Sequence, residues 1–315
     1  MNINTNIPAF SDLFLPESDP MSGYMFPGPT PIPQEMSEFI GSLMHTAINN
    51  KKVDFALQQN GVFFRGHRMP TISGFLYIFR RMPSKVWDVE QCGFPSHLVE
   101  YVSDERLSKG GLIIIAGMPG NGKSTSCAAI IVDRLNKFGG LCITVEDPPE
   151  MPLQGMHGNG LCFQREVENG EEFHVAVRDA MRGYPTKVDT MMLIGEVRDA
   201  ETASLALRSS VDGRLVFVTT HAGNVIQAIQ RILSLASEKL GEDSSRALLS
   251  SSLRLVAHQT IEQKQLKIET LYDTQSVAGI IRNKDVSLEL LRNECTQQRN
   301  QLRVKLKIDL RNINS

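Results

Sequence analysis

An apolar run, Leu112 to Ala116, leads directly into Gly117, Met118, Pro119, Gly120, Asn121, Gly122, Lys123 and Ser124. Glycines at this spacing, closed by a lysine and a hydroxyl residue, suit a grip on a chain of phosphates. Gly117, Gly120 and Gly122, with Asn121 among them, let the backbone follow a tight path whose N–H groups wrap phosphate oxygens. Lys123 then reaches the β and γ phosphates, and the Ser124 hydroxyl completes the shell of a Mg²⁺ ion. From Thr125 the chain opens a helix whose positive end faces the same anion. ATP with Mg²⁺ is the expected ligand.

Other polar clusters that could serve phosphoryl transfer also follow apolar runs: Glu146 to Glu150, Gly195 to Asp199, and Thr219 to His221. This chemistry asks the protein mainly for positioning and charge. Glu196 stands where a Mg²⁺-bound water would be held; Gly195 takes the place of the usual Walker B aspartate, so the glutamate is expected to act alone. Glu146 and Glu150 both sit where a water could be oriented in line with the γ-phosphate. His221 can hydrogen-bond that phosphate and report its loss, the alternative being a satisfied structural histidine.

The elements that must carry these groups alternate along the chain. After the loop come a helix ending at Ile130–Lys137, a strand at Leu141–Val145, a helix at Glu171–Arg182, a strand at Met191–Ile194, a helix at Ala200–Val211 and a strand at Leu215–Thr219. Such alternation predicts a mostly parallel sheet with helices on both faces and ligands at the carboxyl ends of its strands. Upstream, Met36, Phe39, Ile40, Leu43, Met44, Ala47 and Ile48 mark the apolar face of a helix. Strand-like runs at Val53–Leu57, Val62–Arg65 and Ile72–Arg80 complete a small α+β domain over residues 34–109, with Gly110 and Gly111 read as the linker. Residues 1–33 carry seven prolines and are expected to form an extended, largely disordered leader, either a docking peptide or a tail lying on its own domain. Residues 110–285 form the α/β core and its lobe; residues 286–315 read as a helix followed by a basic strand, Arg303–Leu310, whose residues alternate.

At 315 residues the chain has room for about two domains. A net charge of −2 offers no whole-molecule field for nucleic acid or anionic lipid. Five cysteines without C-x-x-C spacing argue for a reducing compartment and against a zinc site. No window is long and apolar enough to span a membrane, and no secretory signal opens the chain, so a cytoplasmic protein is expected.

The clusters together resemble the secretion ATPases, the hexameric motors of type II secretion, type IV pili and type IV secretion, most closely their short PilT-like branch. Residues 141–151 resemble the family's acidic box, Gln164 to Val167 its Q-R-E-V segment, Val177 to Arg182 its L-R-x-A-L-R segment, and Met191 to Thr202 its atypical Walker B motif. Thr220-His221 is similar to its histidine box, and Phe79 to Lys85 to the F-R-x-I-P-S-K turn that ends its amino-terminal domain. The resemblance implies a RecA-like P-loop core, a PAS-like small domain and a C-terminal helical lobe. It further implies a homohexamer that hydrolyses ATP in the cytoplasm, peripheral to the inner membrane, on a pilus or secretion platform protein. By the family's spacing Glu150 is the water-activating carboxylate and Glu146 supports it. Arg65 and Arg80 match the family's positions for arginines that reach a neighbour's nucleotide. For Arg178, Arg182 and Arg198, nucleotide contact and a solvated or salt-bridged face are both open.

The carboxy-terminal part departs from the family. Where retraction motors carry A-I-R-N-L-I-R-E, residues 276–283 read S-V-A-G-I-I-R-N, and Gln230-Arg231 replaces the acidic-arginine pair after the histidine box. Pilus retraction, assembly, conjugation and effector secretion are all left open. A nucleic-acid translocase and a non-hydrolysing nucleotide-binding regulator are the alternative classes; the near-neutral charge counts against the first and the intact Lys123, Ser124, Glu150, Glu196 and His221 against the second.

Overall fold

In the computed structural model, which describes residues 10–50, 52–167 and 171–313, the chain divides into two units. The first runs to Lys85 and takes in two later excursions, Asp147–Pro152 and Glu166–Glu171; the second holds the rest.

Strands β1 (Asp12–Pro16), β2 (Tyr24–Phe26), β3 (Thr30–Pro31), β4 (Asp54–Gln59), β5 (Val62–Thr71) and β6 (Gly74–Arg81) and helix α1 (Ser37–Asn49) build the first unit. The strands form one antiparallel sheet in the order β3-β2-β1-β6-β5-β4. Its core joins the apolar stripe of α1 to Phe55, Phe64, Tyr77 and Phe79. The leader expected to be disordered belongs to this fold from Phe10 onward. Phe10, Leu13, Leu15, Met25 and Ile32 are buried in the same core, and β1 pairs with β6 from Asp12↔Arg80 to Pro16↔Leu76. The prolines do not prevent this because they stand where no ladder N–H is needed. Pro16 ends β1, Pro20 opens a 3₁₀ turn, Pro27 follows β2 and Pro31 lies on the edge strand β3. Residues 1–9 of the leader lie outside the described residues.

The second unit contains α2 (Ser96–Val102), β7 (Gly111–Ala116), α3 (Lys123–Phe138), β8 (Gly140–Glu146), β9 (Gly155–His157), β10 (Gly160–Glu166) and α4 (Phe173–Ala180). It continues through β11 (Thr190–Ile194), α5 (Ala200–Val211), β12 (Leu215–Thr220), α6 (Val225–Leu240), α7 (Glu242–Ser252), β13 (Leu253–Glu262), β14 (Gln265–Tyr272), α8 (Gln275–Arg282) and α9 (Leu291–Ile313). The sheet order is β14-β13-β7-β12-β11-β8-β10-β9, with β13, β7, β12, β11 and β8 parallel. Fully buried runs such as Leu112–Ala116 and Leu215–Val218 are what a sheet covered on both faces requires. The mostly parallel α/β core and the antiparallel N-terminal sheet follow the expected fold class.

Three expectations are corrected. Residues 86–109 belong to the second unit, so Gly110 and Gly111 do not link the units. Arg134 on α3, almost wholly buried, donates 2.9 Å hydrogen bonds to the carbonyls of Val102 and Asp104 and so holds this segment. The glycine at 110 answers a close approach instead: a Cβ there, at φ 91°, would lie 2.5 Å from the Gly213 carbonyl carbon. The basic strand Arg303–Leu310 is the end of the long helix α9. No glycine or proline interrupts residues 291–313, and leucine, lysine and arginine propagate a helix where no strand among the described residues offers a ladder. Finally, the helix expected over Glu171–Arg182 is α4 from Phe173 to Ala180, followed at once by a 3₁₀ turn, Met181–Gly183, that carries Arg182.

Candidate active site

The parallel strands end together, and their exits build the site in the second unit. Gly117 leaves β7 with φ 152°, and a Cβ there would lie 2.5 Å from the Gln259 carbonyl oxygen on β13, so the close approach admits glycine alone. Gly122, at φ 75°, starts α3, which places Lys123 in the first turn. Lys123 is buried, and its Nζ donates to the Gly117 and Met118 carbonyls at 2.8 and 3.2 Å, oxygens of the loop it would serve. Ser124 and Thr125 follow on the same turn.

From Lys123 a line of polar groups crosses the strand ends. His221, one residue past β12, has Nδ1 3.3 Å from Lys123 Nζ and Nε2 3.1 Å from Glu196 Oε1. A carboxylate only accepts, so Nε2 carries a proton towards Glu196, while Nδ1 lies equally 3.3 Å from the Lys123 ammonium, a donor, and from the Gly117 carbonyl, an acceptor. Arg198 Nε donates to the other Glu196 oxygen at 2.7 Å. Beneath the line, Thr219 Oγ1 donates to the Gly195 carbonyl and Gly195 N–H to that of Val145, which ties β11 to both neighbours.

A second carboxylate lies beside the glycine that precedes Glu196. Glu146, at the end of β8 and only 5% exposed, packs against Gly195: a Cβ at 195 would meet Glu146 Cγ at 3.3 Å and the Val145 carbonyl at 3.2 Å. Glu146 Oε1 accepts from Thr144 Oγ1 at 2.6 Å and from Gln164 Nε2 at 3.0 Å. Its charge, after burial itself, helps push the Cys127 thiol up to about 12. Thr144 and Gln164 were missed as site residues; the signal was present only in the resemblances, Thr144 inside the acidic box over 141–151 and Gln164 in the Q-R-E-V segment. That segment splits, with Gln164 in the second unit and Glu166 in the first, where Lys52 Nζ reaches Glu166 at 3.4 Å and burial raises the Glu166 carboxyl. The hydroxyl of Ser124 and the carboxylates of Glu146 and Glu196 are hard oxygen donors, a set that suits Mg²⁺.

The first unit carries the other expected residues. Glu150, on the excursion Asp147–Pro152, accepts from Arg65 Nη1 at 3.3 Å, so this arginine has a partner within its own chain. Arg65 on β5 and Arg80 on β6 are directly paired across the strands and thus share one face of the sheet, opposite the core. Arg80 is paired with Asp12 of β1 at 3.0 Å and stays largely exposed.

Residues 48–308 match the family described as "Type II/IV secretion system protein". The chain is 32% identical over 270 residues to the type IV pilus retractation ATPase PilT of Pseudomonas aeruginosa, covering 79% of this chain and 74% of that protein. It is 30% identical over 310 residues to the type IV pilus ATPase PilU of the same organism, covering 91% and 78%. A crystal structure of the pilus retraction motor PilT with bound ADP superposes with a TM-score of 0.69 at 27% identity, over 94% of this chain and 86% of that one. With a matching family over most of its length and relatives of this similarity, the chain belongs to the type II/IV secretion system protein family, in the PilT-like branch of the secretion ATPases.

Proposed function

We propose that the chain is an ATP-hydrolysing subunit of a homohexameric motor, driving type IV pilus retraction or assembly, or type II/IV secretion, from the cytoplasmic side of the inner membrane. The observation that carries this reading is the line Lys123–His221–Glu196, which connects the phosphate loop to the end of the next strands. Ser124 and Glu196, with Glu146 behind, would hold Mg²⁺, whose charge offsets that of the phosphates. A γ-phosphate draws Lys123 away from the carbonyls that now hold it; His221 then loses a donor, and the change reaches Glu196. Glu150 activates the water, and Glu146 supports it. Arg65 and Arg80, side by side on one sheet face, serve a neighbouring subunit's nucleotide. In taking that position Arg65 would leave Glu150, so engagement of the neighbour would release the base. Among the described residues no helix is long and apolar enough to cross a membrane, which fits a motor that docks on an inner-membrane platform protein.

The test is Mg²⁺-dependent ATPase activity alongside nucleotide binding. Lys123→Ala is expected to weaken binding, because it removes a phosphate cation; Glu196→Gln is expected to bind as before without turnover. Equal rates in wild type and Glu196→Gln would refute the assignment. In the same assay Glu150→Gln should lower kcat more than Glu146→Gln, and the reverse order would move the base to Glu146.

A further inference from the structure

Gln259 on β13 plays no part in the chemistry above, yet it is fully buried beside the phosphate loop. β13 runs parallel to β7, with His258 opposite Ala116, so Gln259 comes level with the point where the chain turns into the loop. Its backbone carbonyl packs on Gly117, its amide Nε2 donates to the Asn121 carbonyl, and two residues on, Ile261 N–H donates to Asn121 Oδ1 at 3.1 Å. The amide orientation is dictated by chemistry, since the reverse would set two oxygens against each other. Gln259 Oε1 has no hydrogen-bond partner among the described residues, a cost in stability that an apolar side chain of the same size would avoid. The donor end is the part with a task.

We propose that Gln259 is a positioning residue for the phosphate loop: by holding the Asn121 carbonyl outward, it aims the Gly122 N–H at the nucleotide. A trans peptide holds C=O and N–H in one plane, pointing to opposite sides of the C–N bond, and the Asn121–Gly122 bond is trans. Fixing the carbonyl against β13 therefore points the N–H away from β13. Gly122 tolerates the flipped peptide as readily as the native one, so without the donor the plane can turn and present an oxygen to the phosphates. Asn121 Oδ1, held by Ile261, braces the same turn.

The inference rests on the reading that the loop binds a nucleotide, and both are tested by titrating the full chain with a fluorescent ADP and Mg²⁺ between pH 6 and 9. Gln259→Leu is expected to bind about tenfold more weakly, the loss of one hydrogen bond. Gln259→Glu is the sharper variant: a protonated carboxyl can donate to Asn121 O and an ionised one cannot. Burial raises such a carboxyl, so affinity should be near wild type at pH 6 and fall about tenfold towards pH 9, more steeply than wild type. Should Gln259→Leu not fold, the pH profile of Gln259→Glu decides. Wild-type affinity in Gln259→Leu, or a Gln259→Glu profile parallel to wild type, overturns the positioning role alone. A wild-type chain that binds no nucleotide overturns this role together with the nucleotide reading.

Discussion

Truncating Leu13 separates a folded leader from a disordered one. Leu13 is fully buried, on β1 between Met25 of β2 and Phe79 of β6, in the core that holds Phe55 and Phe64. Leu13→Ala removes the transfer energy of the lost methyls and leaves a cavity, together about 2–5 kcal/mol in a well-packed core. With a urea dependence of about 2 kcal/mol per molar, the first unit's midpoint should fall by about 1–2.5 M. Asp12→Ala is the internal control. Asp12 is 19% exposed but its partner Arg80 is 69% exposed, and a pair with one end in water contributes about 0–1 kcal/mol, so the midpoint should move less. Urea titration of the full chain by circular dichroism, with hydrogen exchange at the β6 amides to identify the first unit, reads both. A Leu13→Ala shift no larger than that of Asp12→Ala would refute the placement of β1 in the core.

Two more predictions concern assembly and pH. Subunits carrying Arg80→Ala and subunits carrying Glu196→Gln, each expected to be inactive alone, should recover part of the ATPase when mixed, because some sites then combine an intact core with an intact neighbouring arginine; a mixture that stays inactive despite co-assembly, or full activity in a monomer, refutes the trans role. His258, whose imidazole is lowered from 6.5 by burial against the opposing pull of Glu269 and the Ala222 backbone, favours the neutral form in the folded chain. Its contribution to stability is therefore fully present above about pH 6.5 and is lost as pH falls through the lowered folded value. His258→Gln should show a smaller drop in melting temperature between pH 7.5 and 5 than wild type, and an equal or larger drop refutes the assignment.

What was legible in the sequence was local. The phosphate loop, the clusters at 146–150, 195–199 and 219–221, and the alternation of strand and helix depend on residue types a few positions apart, so a linear reading reaches them. The partners inside the site were not legible. Gln164 on Glu146 and Gln259 on Asn121 are contacts across 18 and 138 residues of chain, and no property of a buried glutamine in a strand announces its partner. The hairpin β9–β10 that delivers Gln164 also went unseen, although its turn Gly158-Asn159 is a hairpin signal, because β9 has only three residues and shows no alternation to read. In the leader, proline spacing suggested disorder where the strands had a partner 68 residues away, the span from Asp12 to Arg80. At the other end, the alternation over 303–310 suggested a strand where none of the described strands pairs with it, and the backbone continued as helix. By itself the sequence determined the phosphate-binding chemistry and the parallel core, because both are written in short-range spacing. Only the tertiary structure decided which strands exist and which carboxylate meets which partner, because a strand is defined by its neighbour and a buried polar group by the residue that satisfies it.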